Sequence, residues 1–284
     1  MKYGTERNVT TSTAHTTLSG VPNVTDASST KTRKTMKNEI PIVIPYWAGG
    51  AQGNELELAV TGWRKYFIED YHIFIVGDPH PVISTGDDIS LIECPRIESC
   101  GEGNYLPHID HVHKFTEACK QLVWDYDNFI YTCDDIYPVN DFSLIEILFP
   151  KVTDQMTVSD DDTDGWLGDL RRTKLKCIEE GLPTWDWVCH LPVLYNIYEL
   201  LQIYKKYDCA NTSYVVENLY FNYIYEGRTP LKLNGTDNLK YAVDTNPYDL
   251  LWLEDALATK IFITNSPSGW SKELEDGLRK HYSK

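Results

Sequence analysis

The chain has 284 residues, a formal charge of −16, and an aromatic complement that includes 19 Tyr and 8 Trp. That length accommodates one α/β domain or two small ones around a sizeable core. The negative charge, with no basic patch, argues against direct nucleic-acid binding over a broad surface.

Residues 1–37 are rich in Thr, Ser, Lys and Asn and read as a disordered polar leader. Six cations and two acids fall in this stretch, so the remaining residues carry −20. The N-terminus does not look like a secretion signal, and no apolar run reaches the roughly 18 residues of a membrane span. Seven scattered cysteines without CxxC spacing suit reduced thiols, so a cytoplasmic protein is expected.

Ile40 to Tyr46 is a first buried strand, followed by a loop from Trp47 to Gly53. Asn54 then caps a helix with Leu56, Val60, Trp63 and Phe67 at helical spacing. The loop is not a GxGxxG fingerprint, which disfavours a Rossmann NAD site. Tyr71 to Val76 and Ile89 to Glu93 are further strands, the first closing at Gly77, Asp78 and Pro79. A helix begins near Pro107 and carries Ile109, Val112, Phe115, Cys119 and Leu122 on one face. Phe129 to Thr132 is then a strand buried on both faces, with Pro138 expected to stop further pairing. This order of elements predicts an α/β fold with a mostly parallel central sheet flanked by helices.

The second half is expected to be more helical. Val139 to Phe149 reads as a helix or an edge element, and Ser159 to Gly165 as a solvated acidic loop without EF-hand spacing. A helix over Leu167 to Glu180 holds Arg171 and Arg172, placed to meet phosphate or to pair with nearby acids. Trp185 and Trp187 form either a stacking surface, which under the resemblance given below would take a sugar, or core. Pro192 opens a helix running to Tyr204, which puts His190 just before a helix N-terminus. Ser213 to Tyr225 is a helix presenting Glu217, Ala258 to Thr264 a strand, and Lys272 the start of a closing helix.

Asp134 and Asp135 follow directly on the buried strand, where open α/β sheets place their ligands. Adjacent like charges are stable when solvated or shared with a cation. Hard cations such as Mn²⁺ or Mg²⁺ take carboxylate oxygens together with substrate phosphates. The pair therefore reads as a metal–diphosphate site, or as a plain acidic turn.

Five stretches carry a resemblance when taken in order. They are Ile42-Val-Ile-Pro-Tyr46, Asn54-Glu-Leu-Glu-Leu58, Phe74-Ile-Val-Gly-Asp78, Phe129-Ile-Tyr-Thr-Cys-Asp-Asp-Ile-Tyr137 and His190-Leu-Pro192. Over about residues 39–265 the chain resembles small bacterial and phage glycosyltransferases of GT-A type. It is more distantly similar to the Stealth family of capsule sugar-phosphate transferases. The resemblance implies one GT-A-like catalytic domain over 38–284, with a nucleotide-binding half near 38–140 and an acceptor half near 141–284.

A nucleotide-sugar donor would lie across the strand ends, contacted by Pro45, Tyr46, Asp78, Lys114 and Asp134, with Mn²⁺ or Mg²⁺ on Asp134 and Asp135. Asp-Asp-Ile departs from a strict Asp-x-Asp. That leaves open whether both carboxylates bind metal or one faces the sugar; Asp135 is assigned as the metal ligand and Asp134 as a sugar or metal contact. A glycan or other hydroxyl acceptor needs a general base, and Asp186, His190 and Glu217 are the candidates. Each has a structural reading beside it: His190 as a helix cap, Glu217 as a buried partner, and Lys114 as a solvated lysine. A sugar-phosphate transferase and a non-catalytic carbohydrate-binding protein are the alternatives to glycosyl transfer.

Overall fold

β1 (Ile40–Tyr46) is almost wholly apolar because both of its faces are covered. Ile42 and Ile44 pack with Leu56, Val60 and Trp63, while Val43 packs oppositely with Val112 and Phe115. The structure, a computed structural model, describes residues 38–235, 238–244, 246 and 248–284; the leader expected over 1–37 lies outside them.

After β1 come α1 (Glu55–Tyr66), β2 (Tyr71–Gly77), β3 (Ile89–Glu93), α2 (Leu106–Leu122) and β4 (Asn128–Tyr131). β5 (Ile136–Pro138), α3 (Ile145–Leu148), β6 (Lys151–Val152), α4 (Gly165–Glu179) and β7 (Val193–Asn196) follow. α5 (Ile197–Lys206), α6 (Val216–Ile224), β8 (Leu231–Lys232), β9 (Lys240–Val243), α7 (Leu253–Thr259), β10 (Phe262–Asn265) and α8 (Lys272–Tyr282) complete the order.

The main sheet runs β3-β2-β1-β4-β7, with the first four strands parallel and β7 antiparallel at the edge. α1 covers one face and α2 the other, which is the expected α/β arrangement. A second sheet, β5-β10-β9, pairs β10 antiparallel with β5 and parallel with β9. β6 and β8 form a short parallel pair. Among the described residues no helix is long and apolar enough to cross a membrane.

The strand order fixes where a ligand can lie. The chain lays β2 and β3 on one side of β1, then returns to place β4 on the other side. Connections leaving the C-terminal ends of β1 and β4 therefore diverge and open a crevice between them. Gly77 ends β2 beside that crevice with φ of +142°, and a Cβ there would collide with the Tyr46 carbonyl oxygen. Only glycine lets β1 and β2 end this close together.

Several expectations are corrected. Pro138 does not end pairing: it lies within β5, at the edge of the second sheet, where a missing N–H is tolerated. Asn54 makes no capping hydrogen bond; its Nδ2 instead donates to Glu275 Oε1 at 2.8 Å, tying α1 to α8. The helix expected from Pro192 is a strand followed by a helix. Val193 and Tyr195 face inward in β7, and Asn196 Oδ1 then caps α5 by accepting from Tyr198 N and Glu199 N, both at 3.1 Å. Pairing with β4 overrides the helical reading of an apolar run whose period is ambiguous over four residues. Residues 258–259 belong to α7, so the last strand starts only at Phe262.

Candidate functional site

The turn between β4 and β5 joins the two sheets, and Asp134 and Asp135 occupy it. Ile136 N donates to Cys133 O at 3.4 Å, and Asn265 N donates to the Asp135 carbonyl at 3.3 Å. Both carboxyls are thus held on backbone fixed from two directions. Burial raises the pKa of each to about 7. For Asp134 the next cause is Glu55, and for Asp135 it is Asp134 followed by Glu55. Crowded carboxyls stripped of water favour the neutral form unless a cation joins them.

Glu55 is the third acid of this cluster, and sequence reasoning missed it as a functional group. It opens α1 and is only 6% exposed. Its Oε2 accepts from Gln52 N at 2.7 Å, and its Oε1 accepts from Asn265 Nδ2 at 2.9 Å. Asn265 Oδ1 in turn accepts from the Tyr137 hydroxyl at 2.6 Å, so the acid is braced by the second sheet. Glu57, two residues on, is an ordinary surface acid meeting Arg279, and nothing local distinguishes the two in the sequence.

Two lysines offset part of this charge. Lys114 is buried, pairs with Asp110 Oδ2 at 2.8 Å, and lowers the pKa of Asp134. It is therefore an interior cation rather than a solvated one. Lys240, which the sequence did not single out, donates to the Cys189 carbonyl and acts in the same sense on Asp135. Tyr46 stands among Asp134, Asp78 and Glu55; burial first and these acids second raise its pKa. Asp78 Oδ2 accepts from Ala48 N at 2.9 Å and anchors the loop leaving β1. Pro45 is half-buried one residue earlier.

A cavity of about 250 Å³ opens beside the acidic turn, and Asp134, Asp135, His190 and Glu217 all line it. Three of its walls are residues that sequence reasoning did not select: His111, Tyr195 and Trp166. Burial, and Asp186 after it, push the Glu217 carboxyl up to about 8. His190 adopts a left-handed φ of 47° and reaches solvent at the edge of the cavity. Close packing around its ring, then the Lys240 cation, lower its pKa, with Asp186 opposing. It precedes an edge strand rather than a helix, so no helix dipole acts on it.

Asp186 lies outside the cavity lining. Its Oδ1 accepts from Asn218 Nδ2 at 3.1 Å and from Val188 N at 3.2 Å, which fastens the loop before β7 to α6. Trp187 is core, with its ring centroid 5.5 Å from Phe221 and 5.4 Å from Tyr225, and Trp185 packs against the same cluster. Among the described aromatics that line the cavity, Trp166 is the exposed one, at 38%, while Phe115, Tyr131 and Tyr195 are buried. Arg172 pairs with Asp169 at 2.5 Å rather than pointing into the cavity, and Arg171 reaches Asp160 at 4.0 Å.

The donor chemistry of the acidic turn suits a hard cation. Asp135 Oδ1 is sealed from solvent and has no hydrogen-bond partner among the described residues. Among the described residues no three His, Cys, Asp or Glu side chains are grouped as a complete metal-holding set. An ion here would take one or two carboxylates and complete its shell with water and substrate oxygens, as Mg²⁺ commonly does.

No protein-family model matches the sequence, and no curated protein matches it. Among solved structures, the chain is similar to one described as the apo structure of the bifunctional glycosyltransferase WbbM. The two are 12% identical with a TM-score of 0.49, over 86% of this chain and 50% of that one. The chain thus spans about half the length of that neighbour.

Proposed function

We propose that the chain is a metal-dependent, GT-A-like glycosyltransferase that moves a sugar from a nucleotide-sugar donor to a glycan or other hydroxyl acceptor. One observation carries this reading. Asp134 and Asp135 share a rigid turn at the switch point of a mostly parallel sheet, beside a cavity, and Asp135 keeps an unpartnered, buried oxygen. Mn²⁺ or Mg²⁺ held by Asp135, with Asp134 beside it, would neutralise the charge developing on the departing diphosphate.

The chain's own residues divide the remaining work. The Trp47 to Gly53 loop and Asp78 form the rim of the crevice beyond β1 and β2. Tyr46 and Lys114 shape its floor, with the Lys114 cation offsetting the charge of Asp134. His190 is uncharged at neutral pH because its pKa is lowered, so its imidazole is free to take a proton from the acceptor hydroxyl. Glu217 holds its own proton at neutral pH and is a poorer base there.

The test is thermal unfolding against UDP-, GDP-, CMP- and dTDP-sugars, with and without Mn²⁺. A ligand at ~100 times its Kd stabilises the native state by about 2.7 kcal/mol, an easily measured shift. A donor whose effect requires Mn²⁺ supports the reading; free glycans that stabilise when every nucleotide fails would replace it with carbohydrate binding. Product mass then separates glycosyl transfer from sugar-phosphate transfer, because only the latter adds phosphate.

His190→Ala is expected to lower kcat/KM by roughly 10²–10⁴-fold. In the wild type, activity should fall with acid only below pH 6.5, since His190 must lose its proton to act and its pKa is depressed. With Mn²⁺ saturating, so that Asp134 and Asp135 are held ionised, an acid limb centred above that pH would remove His190 from this role.

A further inference from the structure

Cys189, the residue before His190, is tied down from three directions. Its N donates to the Trp187 carbonyl at 2.8 Å, its Sγ donates to the Lys151 carbonyl at 3.1 Å, and its own carbonyl accepts from Lys240 Nζ. The first two contacts come from the loop itself and from β6. The third comes from β9, at the edge of the second sheet. Lys240 stands opposite Phe262 of β10, the strand whose Asn265 N holds the Asp135 carbonyl. One side chain therefore connects the sheet behind the acidic turn to the backbone of His190.

That backbone is the strained part of the wall. Among the described residues His190 is one of two non-glycines with positive φ, at 47°. A Cβ makes this region costly, so it persists only where surrounding contacts impose it. The Cys189 carbonyl belongs to the peptide plane from which the φ of His190 is measured. Holding that carbonyl fixes the direction in which the imidazole leaves the chain.

A strut alone does not call for a charge. Burial lowers the pKa of Lys240, with Cys189 and Asp135 acting the other way, so the ammonium is kept against desolvation. Burial first and the Lys240 charge second lower the pKa of His190, and Asp186 opposes them. On the cavity side Asp134, Asp135, Glu217, His108 and His111 share the space that His190 faces. A cation on Asp135 would act on the imidazole in the same sense as Lys240.

We propose that Lys240 is a positioning residue for His190. Its ammonium fixes the left-handed backbone that presents the imidazole to the cavity, and its charge keeps that imidazole in the uncharged, proton-accepting form. The value of this to turnover rests on the reading of His190 as the base; the hold of Lys240 on His190 does not.

The test is NMR of the full chain labelled at histidine, in chelator, with the His190 signal assigned as the one lost in His190→Gln. Lys240→Met keeps the length of the side chain and removes its charge. In that variant the titration midpoint of His190 should move to higher pH, and its φ-sensitive amide coupling should change. Lys240→Arg should keep the midpoint near that of wild type. An unmoved midpoint in Lys240→Met overturns the proposal, and so does an equal shift in both variants, which would assign the effect to packing. A difference that vanishes in saturating Mg²⁺ overturns it too, because the metal-loaded protein would then not feel Lys240.

Turnover separates this hold from the catalytic reading. With a donor that supports turnover, Lys240→Met should lose roughly tenfold in kcat/KM at pH 6 and less at pH 8. Unchanged turnover in His190→Ala, with the NMR shift present, removes His190 as base and leaves the hold standing. Should Lys240→Met not fold, the wild-type ammonium decides: its ¹⁵N signal should shift at the His190 midpoint, and a signal blind to that midpoint overturns the proposal.

Discussion

Asp135→Asn is expected to reduce metal-dependent turnover by roughly 10²–10³-fold or more, the scale set by losing one charge-stabilising group, while leaving the metal-free protein more stable than wild type. The carboxylate supplies the unpartnered oxygen for a cation, and an amide oxygen in its place carries no negative charge. Stability moves the other way because the native state disfavours this charge. Its pKa stands near 7 in the folded chain against an ordinary 3.8, the result of burial, Asp134 and Glu55.

A raised carboxyl pKa means that the folded state binds more protons than the unfolded one between those two values. The stability penalty is therefore absent below about pH 4, grows as pH rises, and is complete above about pH 7. Three pH units correspond to an upper limit of about 4 kcal/mol, and the partial exposure of Asp135 lowers it to on the order of 2 kcal/mol. In chelator, the melting-temperature gap between Asp135→Asn and wild type should be small at pH 4 and widest at pH 8. Added Mn²⁺ should raise wild type selectively and close the gap. A variant that is less stable at pH 8 without metal would show that the carboxylate serves the fold instead.

Asp169→Ala should give the largest loss of stability, about 3 kcal/mol, the lower end of what breaking a buried ion pair costs. Asp169 is 1% exposed and accepts from His108 Nδ1 at 2.6 Å, Arg172 Nη1 at 2.5 Å and Ser213 Oγ at 2.7 Å. Arg172 also donates to the carbonyls of Ser213 and Gly103, and Ser213 N donates to Asn104 Oδ1. One carboxylate thus joins α2, α4 and the segment before α6, and through Arg172 and Ser213 the loop before α2 as well. His108 lines the cavity, so the network also sets its outer wall.

Truncation leaves the Arg172 guanidinium without its counter-ion, holding only the Ser213 and Gly103 carbonyls, and leaves the Ser213 hydroxyl with Asn104 Oδ1. For a chain of this size the melting temperature should fall by about 6–12 °C. Asp169→Asn keeps one acceptor oxygen and should lose less. Equal losses in the two variants would assign the whole effect to the carboxylate charge, because Asn fills the same space as Asp.

The order β1-α1-β2-β3-α2-β4 and the place of Asp134 and Asp135 after the last of these strands are legible from the residues alone. Those features are local. Apolar runs of strand length, helical spacing such as Leu56, Val60 and Trp63, and acids at a strand end are all readable within about ten residues. The second half was less legible. Val193 to Asn196 is too short to show its period, and only its partner β4 makes it a strand.

Which distant residues meet at the turn depends on how the elements pack. Glu55 and Glu57 look alike in sequence, but α1 is oriented so that only Glu55 reaches the acidic cluster. Lys240 arrives from β9, Tyr195 from the antiparallel edge strand and His111 from the helix on one face of the sheet. Trp166 replaces the Trp185 and Trp187 pair at the cavity because Trp187 is consumed by the core. Burial and the field of neighbouring charges set the protonation of Asp135, Glu217 and His190, and both arise only once strands from separate parts of the chain are side by side.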